Sequence, residues 1–147
     1  MLTGTYPRTL DSKTRFTLPQ DFRKELDGQV CLIPINGALY GFTTEGFRAW
    51  VDSQFERGGQ HYDPRSKDDF RLRRGLTAAA QTSEVDSAGR VALGKLGAKV
   101  LDRLSFGHDI CVLGVDDHFE VWDADKWNAE FNSFEDDLDE LLFGTSL

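Results

Sequence analysis

Cysteine is nearly absent. The 147-residue chain has two, Cys31 and Cys111, and neither belongs to a Cys-x-x-Cys pair. That is too few for a disulfide framework and the wrong spacing for a thiolate zinc site, so reduced interior thiols are expected. Long apolar runs are missing too. The longest uncharged stretch, Gly28 to Thr44, holds Pro34 and an Asn36-Gly37 pair, and so reads as strands joined by turns rather than a spanning helix. The opening Met1-Leu-Thr-Gly-Thr-Tyr-Pro-Arg8 carries no apolar core of a signal peptide, which sets a cytoplasmic location as the expectation. Bases are scarce at one end: residues 116–147 hold 11 of the 25 acids and only Lys126 among the bases, a net of −10, against +2 for residues 1–115. A negative total ordinarily argues against nucleic-acid binding, but segregation of the acid weakens that argument.

Aromatic surface is abundant. Eleven Phe, three Trp and three Tyr within a 39% apolar composition supply enough buriable area for a folded chain and exclude disorder as its overall state. The length suits one compact domain or two small ones.

The chain also repeats itself. Val30-Cys-Leu-Ile-Pro-Ile-Asn-Gly-Ala-Leu-Tyr-Gly-Phe42 aligns with Ile110-Cys-Val-Leu-Gly-Val-Asp-Asp-His-Phe-Glu-Val-Trp122 at an offset of 80, and Asp11-Ser-Lys-Thr-Arg-Phe-Thr-Leu18 aligns with Asp86-Ser-Ala-Gly-Arg-Val-Ala-Leu93 at an offset of 75. Copies of about 45 residues are too small to bury a core singly, so they are expected to pack together about a pseudo-twofold axis. Each copy reads as strand, tight loop, strand, short helix, hairpin, helix, an α+β pattern. Tyr6 to Leu10 and Arg15 to Leu18 flank a polar loop as the arms of a hairpin do. Pro19 begins a short helix that ends at Gly28; in the second copy Leu96, Val100 and Leu104 keep an apolar stripe although Gly97 interrupts it. Asn36-Gly37 predicts a type I′ turn, with Asp116-Asp117 in the matching place. The division is residues 5–47 for the first repeat, 48–79 for linker helices, 80–125 for the second repeat and 126–147 for an acidic C-terminal helix and tail. In that last helix Trp127, Phe131, Phe134, Leu138 and Leu141 follow a 4, 3, 4, 3 spacing, an amphipathic seam that wants a partner.

The paired loops carry the chemistry. An aspartate opening a turn accepts backbone N–H bonds, a residue at positive φ lets the chain reverse, and an arginine just beyond presents a planar fork suited to phosphate or guanine. Asp11 and Asp86 are the shaping residues, Gly89 supplies positive φ in the second loop, and Lys13, Arg15 and Arg90 are the candidate contacts. Thr14 stands where the first loop needs that φ. A β-branched residue is poor there, so the loops are expected to differ, with Arg90 the more firmly held.

Other groups weigh less. His118 with Asp116 and Asp117, joined by His108 and Cys111, is the nearest thing to a metal or acid/base cluster, yet turn chemistry accounts for it better, so no catalytic residue, metal or cofactor is expected. Cys31 and Cys111 are read as buried thiols rather than a redox pair, and Phe119, Trp122 and Trp127 as core rather than base-stacking groups. The basic run Arg65 to Arg74 is read as a solvated face, with a phosphate-facing strip as the alternative.

Taken together, Gly4-Thr5, Leu10-Asp-Ser-Lys-Thr-Arg15, Leu18-Pro19, Phe22-Arg23, Val85-Asp-Ser-Ala-Gly-Arg90 and Gly114-Val-Asp-Asp-His-Phe-Glu-Val-Trp-Asp123 followed by Trp127 resemble the MraZ family. The resemblance implies two tandem AbrB-like swapped-hairpin repeats and a sequence-specific, non-enzymatic DNA-binding transcription regulator. Its partners would be double-stranded DNA, at repeated promoter elements of cell-division and cell-wall genes, and further copies of itself in a homo-oligomeric ring, without a membrane. Its location would be the cytoplasm, on the nucleoid. Thr14, Ala88 and Gly94 depart from the family pattern. The competing readings are an oligomeric scaffold that binds no DNA and an AbrB-type antitoxin.

Overall fold

The structure is a computed structural model in which residues 1–26 and 28–144 are described. In chain order its elements are β1 (Thr5–Thr9), β2 (Arg15–Thr17), α1 (Gln20–Arg23), β3 (Gln29–Ile35), β4 (Ala38–Phe42), α2 (Thr44–Ser53), α3 (Lys67–Ala79), β5 (Gln81–Glu84), β6 (Arg90–Ala92), α4 (Ala98–Leu104), β7 (Asp109–Val115), β8 (His118–Asp123) and α5 (Ala124–Phe143), with a 3₁₀ turn at Gly94–Leu96.

The two copies are interlocked. A six-stranded sheet runs β1-β7-β8-β4-β3-β5, and β2 pairs with β6 as a separate ribbon. Exchanging each strand for its counterpart leaves that order unchanged when read backwards. Registers obey the same symmetry: Tyr6 faces Val112 in β1–β7, and Gln81 faces Leu32 in β5–β3, the positions that offsets of 75 and 80 require. The first arm of each copy thus adds to the sheet of the other. This corrects the simple hairpin expected at residues 6–18. The chain does reverse at Asp11–Arg15, but β1 and β2 then part to pair with β7 and β6. Local pattern decides that a segment is a strand; the apolar surface available decides its partner.

Two reciprocal bonds fasten the ribbon: Leu18 N–H donates to the Gly89 carbonyl at 2.9 Å, and Leu93 N–H to the Thr14 carbonyl at 3.0 Å. On its inner face Phe16 and Val91 are 1% and 0% exposed and face each other across β2–β6. They join Leu18, Leu93, Val30, Ile110 and Phe119 in a core drawn from both copies.

The other face of the sheet is covered by helices. α2 begins at Thr43, whose hydroxyl accepts from Gly46 N–H at 2.9 Å, and lays Phe47 and Val51 on Ile33 and Phe42. The first ten residues of α5 correspond to α2 by the offset of 80 and touch β7 and β8. α5 then continues through Phe143, about 15 Å further at 1.5 Å per residue.

The type I′ expectation holds at Asn36 and Gly37, with φ of 50° and 83°; of the matching pair only Asp116, at 62°, enters the positive region. Cys31 and Cys111 are buried free thiols on β3 and β7. Two strands lie between theirs, about 14 Å across, twice the reach of a disulfide. Phe119 is fully buried, while Trp122 on β8 and Trp127 on α5 are half-buried and pack edge-to-face with centroids 5.4 Å apart.

Candidate nucleic-acid interface

Each loop is closed by one aspartate. In the first, Asp11 Oδ1 accepts from the N–H groups of Lys13 and Arg15, both at 2.9 Å, and Oδ2 accepts from Arg15 Nε at 2.7 Å. In the second, Asp86 Oδ1 accepts from Ala88 N–H at 3.0 Å and Arg90 N–H at 2.8 Å, and Oδ2 from Arg90 Nε at 2.8 Å. The backbone closes alike, with Asp11 N–H on the Arg15 carbonyl at 2.9 Å and Asp86 N–H on that of Arg90 at 3.0 Å. Such bonding favours the ionised carboxyl. At Asp11 desolvation is the largest single influence and pushes upward, but the Arg15 and Lys13 bonds together outweigh it. At Asp86 the Arg90 N–H leads, with desolvation opposing it. Both stay below the usual aspartate value.

Thr14 does take the required conformation. Its φ is 56°, against 81° at Gly89, and the hydrogen bonds of the two loops agree within 0.1 Å. The expected difference in loop shape is therefore absent. Five loop bonds, among them Thr14 N–H to the Asp11 carbonyl at 3.0 Å, together with the Thr14 carbonyl's bond to Leu93 over-determine the turn and hold a β-branched residue where it would not settle alone. Nor is Arg90 the more enclosed: the Arg15 side chain is 24% exposed and that of Arg90 40%.

With Nε of each arginine held by its aspartate, the two terminal nitrogens are the part of each fork that lies beyond that bond. Both arginines lie on one side of the ribbon, opposite Phe16 and Val91. Arg15 faces Ala92 and Arg90 faces Thr17, so the two arginines are diagonal neighbours with Cα atoms about 7–8 Å apart.

Sequence reasoning missed Arg23. From the end of α1 it crosses the second loop, donating from Nη2 to the Ser87 carbonyl at 3.1 Å. A Cβ on Gly89 would lie 2.8 Å from Arg23 Cδ, Nε and Cζ, the flexible end of a side chain free to shift, so it is the φ of 81° that calls for glycine there. Arg23 thereby gives the second loop the further cation that Lys13 gives the first and Ala88 does not. Its only signal in the sequence was a basic residue after Phe22, and nothing local says which loop it reaches. Arg8 is a second such residue, its Nε donating to the Thr17 carbonyl at 3.0 Å.

The His118 group lies elsewhere, at the β4–β8 seam. Nδ1 contacts Asp117 Oδ1 and Nε2 contacts Glu120 Oε2, both at 2.8 Å, while Trp122 Nε1 donates to Glu120 Oε1 at 2.9 Å. The ring stacks on Tyr40 and Phe42. His118 is thus a satisfied interior histidine. Of the basic run, Arg73 bonds Asp52 Oδ1 at 2.7 Å and lies 4.1 Å over the Tyr62 ring, whereas Arg65, Lys67, Arg71 and Arg74 are exposed.

Comparison with known proteins matches the family model described as "MraZ protein, putative antitoxin-like" over residues 1–63 and 76–141. Proteins named transcriptional regulator MraZ align along nearly the whole chain. That of Limosilactobacillus fermentum is 29% identical over 145 residues, covering 98% of this chain and 96% of the relative. That of Ligilactobacillus salivarius is 29% identical over 143 residues, covering 96% and 94%. That of Leuconostoc mesenteroides is 29% identical over 147 residues, covering 98% and 96%. With the family model spanning both repeats and both arginine loops, the chain belongs to the MraZ family.

Proposed function

We propose that this chain is a transcription regulator that binds duplex DNA through the outward face of the β2–β6 ribbon, without catalysing a reaction. Lys13, Arg15 and Arg90 are its contacts, and Asp11, Asp86 and Gly89 set the loops that carry them. One observation carries the reading: two aspartate-latched arginines with matching bonds, on one side of a two-stranded ribbon, diagonal to each other. A major groove admits such a ribbon, and an arginine fork whose Nε is fixed loses little freedom on meeting a guanine edge or a phosphate. A spacing of about 7–8 Å equals roughly two base-pair steps of 3.4 Å. Arg23 adds charge beside the second loop. The acidic α5, with seven acids and Lys126, accounts for most of the unfavourable total charge and leaves the ribbon face cationic. The relatives' names, transcriptional regulator MraZ, support the same role.

The targets in this reading are repeated promoter elements of cell-division and cell-wall genes, bound by a homo-oligomer arranged as a ring, on the nucleoid in the cytoplasm. Repeated elements suit an oligomer, because several weak contacts on one DNA act as a strong one. Among the described residues no helix is long and apolar enough to cross a membrane.

The test is a gel shift of the full chain on labelled DNA from upstream of its own gene, at a stated salt concentration and with excess unrelated DNA. A complex that survives the competitor is expected. Loss to an equal mass of competitor would reduce the proposal to non-specific binding, and no complex at low salt would end it.

A further inference from the structure

We propose that the projecting half of α5 docks on the cationic groove beside α3 of a second copy, in a head-to-tail contact. The inference rests on the homo-oligomer reading above and names the surfaces that make it. From Phe134 onward α5 extends beyond the ten residues that correspond to α2. Phe131 and Phe134 are 40% exposed, and Leu141, Leu142 and Phe143 are 63–69% exposed. Trp127, Phe131 and Phe134 form one continuous aromatic row, with centroids 5.5 and 5.8 Å apart. Large apolar groups in such a row on an isolated helix mark a contact surface.

Charge selects the occupant. α5 carries seven acids and one lysine, a net of −6, and Glu130, Glu135 and Asp137 flank its apolar row. Two such helices packed on each other would set these acids together, and like charges at flanking positions oppose pairing. α3 offers the opposite surface. None of its residues is buried, Phe70 is 46% exposed, and the Arg74 guanidinium lies 4.8 Å over the Phe70 ring. Phe70, Arg73, Arg74, Thr77 and Ala78 line an open cavity of about 360 Å³, and Arg71 and Lys67 border its neighbour of about 400 Å³. Residues 65–74 carry five bases against Asp68 and Asp69, a net of +3. An apolar row edged with carboxylates thus meets an apolar groove edged with guanidinium groups. Because the two surfaces differ, the contact is heterologous, and repetition closes a ring or extends a filament.

The experiment is a charge exchange on the full chain, read by light scattering. Wild type is expected to run several-fold above its 16.6 kDa monomer mass. Arg71→Glu/Arg74→Glu and Glu135→Lys/Asp137→Lys should each fall to smaller species, and an equimolar mixture should regain the wild-type mass because at the exchanged positions both contacts in it again set opposite charges against each other. All four positions are exposed, and circular dichroism melts verify that the variants fold. Undiminished or larger assembly by Glu135→Lys/Asp137→Lys alone would replace the proposal with α5–α5 pairing. Undiminished assembly by Arg71→Glu/Arg74→Glu, with DNA affinity lost, would make α3 a phosphate-facing strip and overturn it. A mixture that stays small also overturns it. A monomeric wild type ends the oligomer reading itself, and DNA binding measured on the same samples shows whether the ribbon interface stands regardless.

Discussion

Replacing the two latched arginines one at a time tests the equality of the loops. Arg15→Ala and Arg90→Ala each remove a fork held by one side-chain bond, of 2.7 and 2.8 Å, on the same side of the ribbon. A bidentate contact to a base is worth about 1–3 kcal/mol, so each substitution should weaken cognate binding by about 5- to 150-fold, to a similar extent at the two positions. With Cα atoms about 7–8 Å apart, their effects should add to within about 0.5 kcal/mol in the double variant. A phosphate contact leaves a different mark. Each one lost lowers the slope of log affinity against log salt by about 0.9, which is about a 3–4-fold change between 50 and 200 mM, for cognate and scrambled DNA alike. The assay is fluorescence anisotropy on both DNAs across that salt range, with a doped binding site to locate the affected base pairs. Base readout predicts two sensitive positions about two steps apart. Arg90→Ala abolishing discrimination while Arg15→Ala leaves it intact would refute the equality, and no effect from either would refute the interface.

Thr14→Gly should raise thermal stability slightly, by up to about 1 kcal/mol, because relief of about 1–2 kcal/mol of left-handed strain exceeds the added chain entropy; a calorimetric melt no higher than wild type would show that the loop holds no strain. Gly41→Ala should destabilise by about 1–3 kcal/mol or more, since its Cβ would lie 2.1 Å from Phe119 Cζ, and an unchanged melting temperature would contradict the packing described. For His118, burial lowers the imidazole's pKa but the bonds and charges of Glu120 and Asp117 outweigh it, so the net shift is upward. A raised value contributes stability that is full below the unfolded value of 6.5 and is lost as pH rises through the folded value. The wild-type melting temperature should accordingly fall from pH 6 to pH 8.5 relative to His118→Gln; parallel curves would place the proton elsewhere.

What the sequence made legible follows from which forces are local. Strands, the type I′ turn and the α5 seam depend on periodicity and on residues that tolerate a given φ, and these were readable. The aspartate-opened loops were readable for the same reason, since the bonds from Asp11 to Lys13 and Arg15 span at most four residues. Partner choice was not legible from the pattern: β1 satisfies the requirements of an edge strand equally well beside β2 or β7, and only the interlocked core distinguishes them. Arg23 crossing to Ser87, 64 residues away, was hidden likewise. Thr14 misled because its own preference was weighed without the Leu93 bond that the other copy supplies.

The departures from symmetry are as informative as the repeat. The pseudo-axis passes the β4–β8 pair Tyr40 and Glu120. On one side of it Gly41 faces Phe119, and on the other Leu39 faces Val121. Two identical chains meeting at such an axis would have to place the same pair twice: two Phe–Gly pairs, crowding two rings beside the axis, or two Leu–Val pairs. With both copies in one chain each side is free to differ, and the Phe119 ring occupies the space that Gly41 leaves open. It stands there against Phe16 and Phe22, with centroids 6.3 and 6.5 Å away. A large group opposite a small one fills volume more closely than two middling ones constrained to match. That asymmetric packing ties the copies to each other, so the ribbon above it keeps both latched loops in one fixed relation. Covalent joining of the repeats therefore does more than raise their local concentration: it allows the core to be asymmetric while the opposite face of the ribbon, with Asp11–Arg15 and Asp86–Arg90, keeps the symmetry that the proposed paired contacts to DNA would use.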